Sequence, residues 1–471
     1  MSKIFLTLLI LLPQLIIAQK WVDLDYQFTT KKDIQYGTAV DFAGNLETLK
    51  LDIAFPTNDT APSCGRPLVI VIHGGAWMAG SKDDTEVQRL MEEFAQRGYV
   101  AVSPNYRLGL FQTSGSRNCN INLISPGSEW NCYNMQDTAE WYRAYYRAIQ
   151  DVKGAIRYMV DQKDTYNLNP NNVFTTGFSA GGYNALGVAF LDHKSEWKSM
   201  AGKLADAKAP NNIYNAGCVK KYGWDTAISS MNLTRPSLGI LDGDLNYPAK
   251  WNYKIKAAGN FYGGMFFNLL DSGTSQTAIY GFHQPNDLIV PYKKGRKVFD
   301  GYNACVYPVC NQGIINRPFS YSSPTIRDWA KVAGIDVQFD STKNYTNCNG
   351  QIADPSKGGH QLDNWNRTIE LAKYFANRID TTDCITTSIQ KPLPVSHFEL
   401  YPNPSSHTVT VTSNYAIHYV DVRDLAGRRM NNTVFLQGLK AKVSLQELPS
   451  GIYIVYVTTA QGYGSQKLIV K

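Results

Sequence analysis

Histidine is scarce in this chain, with seven in 471 residues. Charge is scarce too: Asp, Glu, Lys and Arg make up 18%, and the net charge of +7 is spread without a Lys/Arg run. A nucleic-acid footprint needs a clustered basic stripe, so no nucleic-acid partner is expected. There is no close C-x-x-C pair, and the His, Asp and Cys residues show no metal-ligand spacing, so neither a metal nor an organic cofactor is implied. Long apolar runs are limited to Ile4–Ile17, which is too short to span a bilayer comfortably. With Lys3 before it, Ala18 and Gln19 after it and no adjacent cysteine for a lipid, this run reads as a secretory signal over residues 1–18, cleaved after Ala18. The expected product is exported, soluble and without a membrane span.

What is present describes an ordinary globular protein. Hydrophobic residues make up 44% and aromatics 12%, and the length exceeds the usual single-domain range. All eight cysteines follow the signal, and an even number in an exported chain reads as disulfide-bonded. Eight cysteines allow 105 pairings. Short intervening loops favour Cys119 with Cys132 and Cys305 with Cys310.

From Leu49 to about Asp380, apolar β-branched runs alternate with longer helical patterns, the order of a mostly parallel sheet with helices on both faces. Strands are expected at Pro67–His73, Tyr99–Tyr106, Asn172–Phe178, Thr277–His283 and Ile335–Asp340. The segment ending at Gly98 reads as a capped helix, and a longer helix carries Trp141, Tyr142, Tyr145 and Tyr146, read as packing in preference to a cleft lining. Residues 381–396 are Thr-, Ser- and Pro-rich and read as a linker. From His397 to Lys471, short alternating runs separated by Gly, Pro and Asn turns predict a small antiparallel β-sandwich.

The run Gly177-Phe178-Ser179-Ala180-Gly181-Gly182 places one serine between a strand and a helix, flanked at two positions on either side by glycine. Such a turn is sharp enough to push the hydroxyl out of the fold. A neutral hydroxyl is a weak nucleophile at pH 7 and requires a base, normally a histidine oriented by a carboxylate. Three histidines (397, 407 and 418) fall in the tail, His73 lies in a glycine-rich loop, His193 follows one short helix after the serine, and His283 ends a strand. His360, in a Gly-flanked loop after the last expected strand, remains as the base. For the carboxylate, Asp287 is favoured because the H-x-x-x-D-x-x-V-P pattern of residues 283–291 matches the acid-bearing loop of this kind of fold; Asp242 and Asp244 are its rivals. Negative charge developing on an attacked carbonyl also needs donors. The amides of Gly75 and Ala76, in the His73-Gly74-Gly75-Ala76-Trp77 loop, and of Ala180 are assigned to that oxyanion hole.

These elements together resemble the α/β-hydrolase superfamily, and within it the secreted carboxylesterases that include feruloyl and acetyl-xylan esterases. The resemblance is carried by LDIAFP, HGGAWMAGSKDD, NYRLG, AIQDVKGAIRYM, NLNPNNVFTTGFSAGG and HQPNDLIVPY. It implies an α/β-hydrolase catalytic domain over residues 19–380 acting on acyl esters, such as acetyl or feruloyl groups of polysaccharides, through Ser179, His360 and Asp287. A serine peptidase of the same fold and a non-catalytic adhesion module are the alternatives. Ala76 stands where the family more often has Gly, and inserted loops at 108–134 and 301–350 are expected to border the cleft. The tail is similar to the C-terminal sorting domain of proteins exported by the type IX secretion system of Bacteroidetes, through YPNPSSHTVTV, VDVRDLAGRRM, LPSGIYIVYVTT and the terminal KLIVK. That likeness implies the secretion machinery as a partner and a destination at or beyond the cell surface.

Overall fold

The computed structural model describes residues 20–41, 46–57, 59–108, 138–201, 237–246, 252–270, 276–292, 295–299, 317–342, 359–381, 397–425, 430, 434–459 and 462–471. The chain divides into two compact units, one formed by residues 28–390 and the other by residues 1–27 together with 391–471.

The larger unit is built on an eight-stranded sheet. In chain order its strands are β1 (Gln27–Val40), β2 (Leu46–Thr57), β3 (Arg66–Ile72), β4 (Val100–Pro104), β5 (Leu168–Phe178), β6 (Ile255–Phe261), β7 (Ala278–Phe282) and β8 (Val337–Asp340). Their spatial order is β1-β2-β4-β3-β5-β6-β7-β8. Strands β2 and β4 pair antiparallel, and every pairing from β4 through β8 is parallel. Parallel strands are covered on both faces, which is why Pro67–Ile72 can be apolar at nearly every position and is buried throughout.

The covering helices are α1 (Thr85–Gln96), α2 (Thr138–Asp161), α3 (Ala180–Phe190), α4 (Ser323–Val332) and α5 (Asn366–Ala376). Helix α2 buries Trp141, Tyr145, Ile149, Val152, Ile156 and Met159, a stripe at helical spacing. Its aromatics belong to the main core, where Trp141 and Tyr145 meet Trp77 edge-on at 5.9 and 6.0 Å. Tyr146 stacks on Trp197 at 4.3 Å.

The five expected strands are present, with β5 starting earlier than expected, at Leu168. Strand β6, next to β5, was not expected. Its sequence IKAAGNF has little β-branched character, and its small residues fit a position where β5, β7 and the helices leave little room. The interval 301–350, read as an inserted loop, holds regular structure within 317–342: a strand at Phe319–Ser322, helix α4 and β8. The expected signal at 1–18, the pairs Cys119–Cys132 and Cys305–Cys310, the insert after Leu108 and the linker at 382–396 lie outside the described residues.

In the smaller unit two antiparallel sheets share one core. Strands β9 (Phe398–Tyr401), β10 (Thr408–Ser413), β12 (Val434–Gln437) and β13 (Lys440–Ser444) form one in the order β9-β10-β13-β12. Strands β11 (Ile417–Asp424), β14 (Gly451–Thr459) and β15 (Gly462–Val470) form the other. Val409, Val411 and Val443 of the first meet Val422, Val455, Val457 and Leu468 of the second. The turn after β9 is tied to the last strand: the Asn403 side chain donates to Lys467 O at 2.7 Å and accepts from Ile469 N at 2.9 Å. Residues 20–27, expected to open the hydrolase region, belong instead to this unit. The physical reason is local burial: Trp21 and Val22 are almost fully covered, and Asp23 pairs with Arg423 at 3.8 Å.

The turn from β5 into α3 passes very close to the end of β3. A Cβ on Gly181 would lie 2.1 Å from Ile72 O and 2.7 Å from His73 O, both backbone atoms that cannot move aside. Gly181→Ala is therefore expected to cost more than about 3 kcal/mol, at the severe end of single substitutions. The check is soluble yield and the unfolding midpoint, both falling far below those of an alanine variant at exposed Gly239, where a Cβ would meet nothing within 4 Å and only the φ of 69° opposes it.

Candidate active site

Ser179 occupies the turn between β5 and α3 with φ 56° and ψ −120°, a left-handed conformation that a non-glycine residue adopts only under constraint. The constraint comes from both sides. Its amide donates to Phe261 O of β6 at 2.9 Å, and its carbonyl accepts from Gly182 N at 2.9 Å.

His360 stands against the serine hydroxyl, with Nε2 2.8 Å from Ser179 Oγ. Its other ring nitrogen, Nδ1, lies 2.9 Å from Asp287 Oδ2. A carboxylate only accepts, so Nδ1 carries the proton and Nε2 is the acceptor for the serine O–H. The imidazole is also held by Tyr262, edge-on at 4.9 Å, whose hydroxyl donates to Glu86 Oε2 at 3.2 Å. Gly359 lets the histidine loop lie on the acid loop, since a Cβ there would come within 2.5–2.7 Å of the Asn286 and Asp287 backbone. Gln284 ties the same loops together by donating to Gln361 O at 2.9 Å.

Asp287 is fully buried at its side chain and accepts four hydrogen bonds. Oδ1 takes the amides of Ile289 at 2.8 Å and Val290 at 2.9 Å. Oδ2 takes His360 and, at 2.9 Å, Nε2 of His283. Burial by itself would push this carboxyl up. The electrostatic pull of the His360 imidazole and the hydrogen bonds from His283 and His360 outweigh that effect and hold it below the usual carboxylate range.

The rival acids are elsewhere. Asp242 pairs with Lys153 at 2.5 Å, and Asp244 is exposed. Among the other histidines, His193 is half exposed beside Asp192 at 3.5 Å, and His407 contacts Ser406.

The loop after β3 passes directly beside the serine, and a Cβ on Gly74 would lie 3.2 Å from Ser179 Cβ. Gly75, Ala76 and Trp77 run consecutively at positive φ, 100°, 52° and 59°. Each left-handed non-glycine residue costs about 1 to 2 kcal/mol. The Trp77 side chain offsets this: it is 1% exposed, its indole donates to Asn184 Oδ1 of α3 at 2.9 Å, and it packs on Tyr183 and Phe266 at 5.5 and 5.4 Å. Burial of a large apolar side chain contributes about 1.5 to 3 kcal/mol and a hydrogen bond about 1 more. The amides of Gly75, Ala76 and Ala180 have no hydrogen-bond acceptor among the described residues, and that of Ala180 opens helix α3, where backbone N–H groups are unpaired within the helix. These three donors are free for an anionic oxygen. Trp77, Asn184 and His283 were not singled out as site residues from the sequence; the only available signal for the last was its position four residues before Asp287.

His73 supports the same loop. It is buried, its ring stacks on Tyr106 at 4.1 Å, and its Nδ1 donates to Gly74 O at 2.8 Å. The Tyr106 hydroxyl donates to His73 O at 3.1 Å.

Among the described residues no group of three His, Cys, Asp or Glu side chains is placed to hold a metal, and no helix is long and apolar enough to cross a membrane.

This fold, with a serine at the strand-to-helix turn, is that of an α/β hydrolase, and the family match places it in the esterase class. Within that class the chain carries a BD-FAE domain, matched over residues 51–114 and 130–297, followed by a secretion system C-terminal sorting domain matched over residues 399–471. No curated protein matches the sequence. Among solved structures, a truncated carbohydrate esterase from gut microbiota is 15% identical with a TM-score of 0.41, covering 75% of this chain and 97% of its own. An esterase of the planctomycete Thermogutta terrifontis, with propionate bound, is 16% identical with a TM-score of 0.35, covering 72% of this chain and 92% of its own. Esterase B of Lactobacillus rhamnosis, with a tributyrin phosphonate inhibitor, is 13% identical with a TM-score of 0.36, covering 74% and 86%. Scores this low leave substrate out of the comparison.

Burial pushes the His73 imidazole down to about 4. The unfolded chain therefore takes up this proton first, so the contribution of neutral His73 is complete above about pH 6.5 and is lost as pH falls toward 4, roughly 3 kcal/mol in all. Unfolding midpoints measured from pH 7 to 4 are expected to fall more steeply for the native chain than for His73→Asn, whose amide can still reach Gly74 O.

Proposed function

We propose that this protein is an exported serine carboxylic-ester hydrolase that works through an acyl-enzyme. Ser179 is its nucleophile, His360 its base and Asp287 the group that fixes the histidine tautomer. One observation carries this reading: the unbroken chain from Ser179 Oγ to His360 Nε2 at 2.8 Å and from His360 Nδ1 to Asp287 Oδ2 at 2.9 Å. Ser179 Oγ attacks the ester carbonyl as His360 Nε2 takes its proton. The imidazolium then forms beside the Asp287 carboxylate, which stays ionised. The amides of Gly75, Ala76 and Ala180 hold the carbonyl oxygen as it becomes negative, each such donor contributing about 3 to 4 kcal/mol. His360 returns its proton to the departing alkoxide, and water repeats the attack on the acyl-serine with His360 again as base.

The substrates are acyl esters carried by large alcohols, with acetyl or feruloyl groups on polysaccharide as the class. Two features support this. The sorting domain over residues 399–471 directs the chain to the cell surface or beyond, where such polymers are found. The His360 side chain, which protonates the departing alcohol, is 22% exposed, so the alcohol can be part of a polymer too large to enter the core.

Replacing Ser179 by Ala is expected to abolish turnover of p-nitrophenyl acetate, by about a thousandfold or more. The unfolding midpoint should stay within a few degrees of the native one. Acetylated xylan and methyl ferulate, assayed beside p-nitrophenyl esters of increasing chain length, then rank the substrates. Retained turnover in the Ser179 variant overturns the assignment.

A further inference from the structure

Asp287 Oδ2 is shared by two imidazoles. His360 Nδ1 and His283 Nε2 each lie 2.9 Å from this one oxygen. His283 follows directly on β7, four residues before Asp287, and its side chain is wholly buried. Its Nε2 also lies 3.1 Å from Val290 O. Both neighbours of Nε2 are acceptors, so this nitrogen carries a proton. Its Nδ1 is buried with no hydrogen-bond partner among the described residues, so nothing there compensates a second N–H. The ring is therefore the neutral Nε2–H tautomer, donating to both Asp287 Oδ2 and Val290 O. Tyr292 packs edge-on against it at 5.6 Å, and Ser341 Oγ donates to its carbonyl at 2.8 Å, so ring and backbone are both held.

We propose that His283 is a positioning residue for ester hydrolysis: its Nε2–H fixes the rotation of the Asp287 carboxylate so that Oδ2 faces His360. The proposal rests on the reading of Ser179, His360 and Asp287 given above. The two amides on Oδ1, from Ile289 and Val290, anchor one end of the carboxylate. They hold that oxygen alone, and small turns about Cα–Cβ and Cβ–Cγ can still shift Oδ2 away from Nδ1 of His360 while Oδ1 keeps bent hydrogen bonds. His283 supplies the second point that stops these turns. It reaches the reacting atoms only through Asp287 and His360, so its loss affects the chemical step and not substrate binding.

Two replacements of similar volume separate this role from simple packing. In His283→Gln the side-chain amide can place an N–H where Nε2 stood. In His283→Met no donor remains. The expected result is a kcat within about threefold of the native value for the Gln variant and a kcat lower by about ten- to a hundredfold for the Met variant, with KM unchanged in both. Equal kcat in the Met variant and the native enzyme overturns the proposal. So does a parallel fall of kcat and unfolding midpoint in both variants, the signature of packing alone. If the Met variant does not accumulate, nitrogen-15 NMR of the histidine-labelled native protein decides, with the His283 signals assigned from the Gln variant. Protonated Nε2 with unprotonated Nδ1 supports the proposal, and the opposite tautomer overturns it. Ser179→Ala, run in parallel, keeps the two levels apart: activity retained there removes the triad reading itself, whereas an inactive Ser179 variant beside a fully active Met variant removes only the role of His283.

Discussion

The closeness of two backbones at the carboxyl end of the sheet constrains the rest of the larger unit. Strand β5 turns into α3 so near the end of β3 that no side chain fits at Gly181, whose Cβ would lie 2.1 Å from Ile72 O. Beside it Ser179 holds φ 56° in the turn. The loop after β3 runs alongside, with a Cβ on Gly74 lying 3.2 Å from Ser179 Cβ. The indole of Trp77 reaches Asn184 on α3, tying the strained loop to the helix behind the serine.

A buried carboxylate is the second constraint. An ionised Asp with no exposed surface is tolerable only if every lone pair has a donor. Asp287 meets that condition with two amides from its own turn and two imidazoles. The same bonds that keep the carboxyl ionised hold its Oδ2 toward His360 Nδ1. Asp242 differs in both respects, being half exposed and neutralised by Lys153.

Much of this was legible in the sequence where the signal is local. The apolar run of Pro67–Ile72, the glycines around Ser179 and the helical stripe of Trp141, Tyr145 and Ile149 each reflect neighbours within a few residues, and the corresponding elements are present. Strand β6 was not legible, because a strand of Ala, Gly and Asn is selected by the narrow space between β5 and β7 and not by its own propensity. The assignment of residues 20–27 to the smaller unit was hidden as well, since it depends on burial of Trp21 and Val22 far along the chain from strands β9 to β15.

By itself the sequence determined the order of the elements: a glycine-rich loop after a strand, then Ser179 at a strand-to-helix turn, then Asp287, then His360, and after them a separate β-rich tail. These are properties of residue type and short spacing, which local sterics and hydrogen bonding decide. Only the tertiary structure decided which groups meet. Ser179 and His360 are 181 residues apart and Asp287 and His360 are 73 apart, so their contact depends on strand order and on where the segments carrying Asp287 and His360 come together. For the same reason the second imidazole on Asp287 was invisible beforehand: four residues of spacing say that His283 and Asp287 are near, but not that their side chains turn toward one oxygen.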